Sequence, residues 1–133
     1  MLREQAIQSM KKYFGEQRFV DHTLKVLSYG ERILEGEAGS RGDIPVDFER
    51  AAVTLACVFH DIGIPEARER YGSFEAPYQE ELGPPVARKL MEEIGVRPDL
   101  LERVAYLVGN HHSRDKIDGE DFQILWEADF LVN

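Results

Sequence analysis

The sequence predicts an all-α fold, a bundle of about six or seven helices. Three observations carry this. Apolar residues recur at the i, i+3, i+4 and i+7 spacing of helices through most of the chain. No segment shows the strict apolar–polar alternation between hairpin turns that marks strands. The run Ala51–Phe59 is almost wholly apolar, as a helix buried in the middle of a bundle must be. At 133 residues the chain is read as one domain spanning 1–133.

In chain order, Leu2–Phe14 forms the first helix and Gly15 stops it. The second begins near Val20 and carries Val20, Leu24, Leu27, Ile33 and Leu34 on its apolar side. From Gly36 to Asp43 the residues Gly36, Gly39, Ser40 and Gly42 mark a polar connection. A third helix starts near Asp47, its N-cap, and runs to Phe59. It stops at His60-Asp61-Ile62-Gly63, with Gly63 as a left-handed cap that turns the chain. Ile64–Tyr71 is a short helix with Pro65 at its start, followed by a break from Ser73 to Pro77. The next helix spans Glu80–Ile94, with Pro84 and Pro85 near its first turn, where proline is tolerated. Gly95 ends it. Pro98–His111 places Leu101, Val104, Leu107, Val108 and His111 on one face, and Asp121–Val132 is the last helix.

Composition narrows the function. With 16 basic against 25 acidic residues the net charge is -9, and a field of that sign repels a nucleic-acid polymer. A small phosphorylated ligand is still compatible, because one metal ion and one local cation override the global field. Cys57 is the only cysteine. It lies inside the apolar run and reads as a small buried hydrophobe rather than a nucleophile. The polar start Met1-Leu2-Arg3-Glu4-Gln5 has no signal core, and no apolar stretch reaches the roughly 18 residues of a membrane span. The expected setting is cytoplasmic, with no membrane partner; a homodimer is compatible with a small acidic bundle.

Four histidines, His22, His60, His111 and His112, stand at informative places. His60 closes the most apolar helix and Asp61 follows at once. Neighbouring helical residues point about 100° apart, so both reach one ion only if it sits beyond the helix end. An ionised aspartate after an apolar run needs a cation, a capping role or water. Asp129, inside Ile124–Val132, poses the same problem, with Arg103 or Lys25 as alternative partners. His111 falls on a core-facing stripe, and His22 shares its helix with Leu24 and Leu27. His112 points elsewhere and also reads as an exposed cation at a helix C-terminus. Imidazole with carboxylate makes a mixed N/O site suited to Fe, Mn, Co, Ni or Zn, and to Mg.

The ordered set His22, His60-Asp61, Asp129 resembles the HD superfamily of metal-dependent phosphohydrolases. So do the segments His22-Thr23-Leu24-Lys25-Val26, Phe59-His60-Asp61-Ile62-Gly63-Ile64, Tyr78-Gln79-Glu80, Gly83-Pro84-Pro85, Asn110-His111-His112-Ser113 and Asp121–Asp129, which are similar to small stand-alone prokaryotic members. The resemblance implies a helical bundle around a metal cleft. It implies that His22, His60, Asp61 and Asp129 hold a divalent metal, and that His111 and, less directly, His112 face a second metal or a substrate phosphate. Glu80 matches a position that lies near the cleft in some branches. The segment after His112 lacks the Gly-Tyr-Pro signature of cyclic-dinucleotide phosphodiesterases. Ile64-Pro65 stands where alarmone hydrolases carry Glu-Asp, and four histidines leave little room for a diiron oxygenase set.

The implied activity is hydrolysis of a small phosphorylated metabolite or nucleotide by a metal-activated water. Asp61 would accept the water's proton, and His111 or His112 would assist the phosphate or leaving oxygen. Lys25, Arg70, Arg114 and Lys116 are candidate phosphate contacts, each with a solvated surface charge as its alternative. A second expectation is a regulatory module that binds metal and phosphate ligands without turnover.

Overall fold

The computed structural model describes residues 2–37 and 46–133. Among them are seven α-helices and one 3-10 turn, with no strand: α1 (Leu2–Phe14), α2 (Gln17–Glu37), α3 (Val46–Phe59), α4 (Ile64–Tyr71), α5 (Ala76–Glu93), α6 (Pro98–Asn110), the 3-10 turn Arg114–Lys116, and α7 (Glu120–Val132). The all-α expectation therefore holds. The connection expected over Gly36–Asp43 lies largely outside the described residues; Gly36 itself is in the last turn of α2.

The core is arranged around α3, which packs against α1, α2, α6 and α7. Its residues Ala52, Val53, Leu55, Ala56, Cys57, Val58 and Phe59 are essentially inaccessible to water. Each large side chain there contributes about 1.5–3 kcal/mol by leaving water. Around it, α1 buries Ala6, Ile7, Met10 and Phe14 at helical spacing and ends where Gly15 takes φ +70°. The α5 helix ends in the same way at Gly95, φ +79°, and the Val96 N–H returns to the Met91 carbonyl at 3.0 Å. Helix α2 crosses α3 closely at Gly30. A Cβ there would stand 2.7 Å from the Cys57 sulfur, so Cys57 is a packing atom, as expected of a small buried hydrophobe. No described helix is long and apolar enough to cross a membrane.

Several expected boundaries are corrected. The second helix starts at Gln17, a turn before Val20, because Gln17 and Arg18 are polar and leave Phe19 alone to extend the apolar stripe. Helix α3 already includes Val46, so Asp47 lies inside its first turn. Gly63 is not a left-handed cap: it has φ -77° and ψ -10°, and is the N-cap of α4. It is needed for closeness, since a Cβ would lie 2.8–2.9 Å from the backbone of Gly83 and the Gln79 carbonyl. Pro84 and Pro85 are not in a first turn either. Helix α5 begins at Ala76, with Pro77 in its first turn, and runs through both prolines. The helix forgoes the bonds their missing N–H groups would make to Glu80 and Glu81. In exchange the Pro84 ring fills the space beside Gly109, 2.8 Å from where a Cβ would be. Gly63, Gly83 and Gly109 thus let α4, α5 and α6 approach closely, which draws the ends of α3 and α6 together.

Candidate metal centre

Two histidines end two helices in the same way. His60 follows the last residue of α3, and its Nδ1 lies 2.7 Å from the Cys57 carbonyl oxygen. His111 follows the last residue of α6, with Nδ1 2.7 Å from the Val108 carbonyl. The last carbonyls of a helix lack backbone partners, and a ring three residues on can supply one. A carbonyl only accepts, so Nδ1 carries the proton in both rings. In the neutral tautomer each Nε2 then presents a lone pair away from its helix. Both Nε2 atoms are buried and without a hydrogen-bond partner; Thr23 Oγ1 is the third such atom among the described residues.

The carboxylates come from a turn and a helix. Asp61 lies in the tight turn after His60, where Ile62 N–H bonds the Phe59 carbonyl and Ile64 N–H bonds the Asp61 carbonyl. Its Oδ2 is 3.3 Å from His60 Nε2 and 3.4 Å from His22 Nε2. Its other oxygen, Oδ1, is 3.3 Å from His111 Nε2. Asp129 comes from α7, with Oδ1 3.4 Å from His22 Nε2 and 3.5 Å from His60 Nε2. The Asn133 amide donates to that same oxygen at 2.8 Å. Both carboxylates are only 13% exposed.

Electrostatics follow from this crowding. Burial alone would raise the pKa of Asp61, but His60 and His111 outweigh it and hold the carboxyl well below the usual range. Burial likewise opposes ionisation of Asp129, and His22 and His60 outweigh it. His60 is the counterpart: burial would lower its pKa, yet the Asp61 and Asp129 carboxylates hold it well above 6.5. For His112, burial first and then His111 push the pKa down. Two groups of potential ligand atoms result, each clustered within 4.8 Å: His22, His60 and Asp129, and Asp61, His111 and His112. Asp61 joins them.

A model of the HD domain matches residues 19–129. The chain belongs to the HD-domain family. No curated protein and no solved structure matches it. The family is one of metal-dependent phosphohydrolases, and this HD domain has His and Asp groups that could hold a divalent metal.

Above the cluster opens a cleft of about 330 Å³, lined by Arg18, Phe19, His22, Asp61, Ile64, Phe74, Gln79, His112, Asp129 and Asn133. The structure thus gathers His22, His60, Asp61, His111, His112 and Asp129 at one place. Other expected residues stand elsewhere. Lys25 is exposed on α2 and does not line the cleft. Arg70 is on the surface of α4, 3.7 Å from Glu66. Arg114 lines a separate groove with Trp126 and Phe130, and Lys116 is exposed. Glu80 is not in the cleft wall; its carboxylate accepts the His112 N–H at 3.1 Å and the Ser113 hydroxyl at 3.2 Å, holding the turn that carries both histidines. Asp129 does not have Arg103 as its partner, because Arg103 is clasped by Asp118 and Asp121 at 2.6–2.8 Å. Sequence reasoning missed Arg18, Phe19, Phe74 and Asn133. The first two had a signal: they precede His22 by four and three residues, so they share its helix face.

Proposed function

We propose that this HD-domain protein is a phosphohydrolase acting on a small phosphorylated metabolite or nucleotide, with a divalent metal held by His22, His60, Asp61 and Asp129. The observation that carries the reading is the pair of buried, unpartnered Nε2 atoms of His60 and His111, with carboxylate oxygens 3.3–3.5 Å away. Rings whose opposite nitrogen is fixed by a carbonyl are oriented as metal-binding histidines are, and the N/O donor set suits Mn, Fe, Co, Ni, Zn or Mg. A divalent ion there would supply positive charge facing a phosphoryl group and lower the pKa of a water.

The chain's own groups divide the remaining work. Asp61, kept ionised by its histidines, accepts the proton of the attacking water. His111 is buried against Asp61 Oδ1 and fixes that carboxylate. His112 lines the cleft. With its pKa pushed down, it is a neutral imidazole near pH 7 and offers one N–H to the leaving oxygen. Asp61 turns Oδ2 to His22 and His60 and Oδ1 to His111, and this position between two sets of ligand atoms supports a capacity of up to two ions. A panel of nucleotides and phosphomonoesters with Mn, Co or Ni tests the reading. Turnover that disappears in Asp61→Ala is expected; metal bound with no turnover of any ester would favour a ligand-binding module instead.

A further inference from the structure

The cleft has two chemically different walls. His22, Asp61 and Asp129 make a polar floor; Phe19, Ile64 and Phe74 make an apolar side. Phe74 is 40% exposed. Its ring meets Phe19 edge-on, with centroids 5.9 Å apart and planes at 82°. Phe19 is backed in turn by Phe14 at 5.7 Å. Two rings at right angles form a corner in which a flat guest stacks on one face and meets the edge of the other.

The corner is fixed in place. The backbone carbonyl of Phe74 accepts the side-chain amide of Gln79, itself nearly buried. Glu16 binds Arg18 at 3.3 Å and Arg68 at 2.7 Å, tying the start of α2 to α4. Arg18 lies with its guanidinium carbon 4.5 Å over the Phe19 ring. Among the described residues lining the cleft, it is the one Lys or Arg. Glu16 occupies its Nε, and a guanidinium has four further N–H donors for an anion.

A phosphoryl group has no use for an aromatic corner. We infer that Phe19, Phe74 and Arg18 are specificity-determining: the corner takes a flat aromatic or heteroaromatic ring on the alcohol part of the ligand, and Arg18 contacts its phosphate. The cleft volume is at the lower end of small-molecule sites, enough for a phosphate and one ring system. This rests on the phosphohydrolase reading for the phosphate end of the ligand.

The test is calorimetric binding to the Mn²⁺-loaded full chain, comparing adenosine 5′-monophosphate with glycerol 2-phosphate. The expected preference for the ring-bearing ester is about tenfold, the size of one aromatic stacking contact. It collapses toward parity in Phe74→Leu, which keeps an apolar side chain and loses the ring. Phe130→Leu, an exposed ring outside the cleft, keeps the preference. Arg18→Gln weakens both esters several-fold. Parity in the wild type, a preference unchanged in Phe74→Leu, or no binding of either ester would overturn the inference. The preference without hydrolysis of either ester would leave the inference standing and remove the phosphohydrolase reading. Hydrolysis of both esters with parity would do the reverse.

Discussion

The Nδ1–H of His60 is bonded to the carbonyl oxygen of Cys57, 2.7 Å away at the end of α3. One hydrogen bond does two things. It satisfies a helix-end carbonyl, and it aims Nε2 at the carboxylates of Asp61 and Asp129. His111 repeats the arrangement on Val108 at the end of α6. The centre is therefore assembled from two helix ends, one helix face (His22) and one aspartate from α7.

Asp61 is the carboxylate that faces three histidines. Asp61→Asn keeps its shape and loses its charge. The expected result is Mn²⁺ affinity lower by at least about 100-fold, the upper range for disturbing a metal site's surroundings, with helix content by circular dichroism unchanged. Affinity within a few-fold of wild type would remove Asp61 from the ligand set.

Metal affinity is expected to rise with pH. In the metal-free site, burial pulls the His60 pKa down but the carboxylates of Asp61 and Asp129 hold it above 6.5. A metal needs the Nε2 lone pair, so binding expels that proton. Affinity climbs by about tenfold per pH unit while one proton is displaced, then levels off above the pKa of folded His60. Asp61 and Asp129 stay ionised throughout and add no slope. For the metal-free chain, the same raised pKa gives stability that is present below about 6.5, the unfolded value, and lost as pH rises through the folded value. Mn²⁺ titrations at about pH 6, 7 and 8 check the first trend; a flat affinity contradicts it.

Much of this was legible in the sequence for local reasons. Gly15 and Gly95 stop helices because they take positive φ. The Ala51–Phe59 run is the central helix because all of it but Thr54 is apolar. Asp61 and Asp129 stood out as carboxylates among apolar neighbours, and the structure shows what offsets their burial. What was hidden depends on contacts between distant segments. Gly63 is small because Gln79 and Gly83 pass against it. Pro84 stays inside α5 because Gly109 makes room for it. The fate of Lys25 and Arg70 depends on which way a polar helix face turns, and apolar spacing does not record that.

Glycine substitutions separate these cases. Gly63→Ala drives a Cβ to 2.8–2.9 Å from backbone atoms that cannot swing away, and should destabilise by about 2–4 kcal/mol. Gly36→Ala, with nothing within 4 Å, should stabilise α2 by up to about 1 kcal/mol. Urea midpoints measure both; equal effects would contradict the close approach of α4 and α5.

Cys57 is fully buried, and burial, followed by the charges of Asp129 and Glu31, pushes its thiol pKa up. The folded protein should not react with Ellman's reagent over hours and should release one equivalent on unfolding. Rapid reaction of the native protein would contradict the packing of Cys57 against Gly30.

The most direct measurement is hydrolysis of p-nitrophenyl phosphate by chelator-treated protein before and after Mn²⁺ is added, with bound metal counted by elemental analysis. The expected result is no turnover when metal-free, turnover on loading with at least one ion per chain, and neither in Asp61→Asn. Turnover by the metal-free protein, or no metal bound after Mn²⁺ is added, would contradict the account.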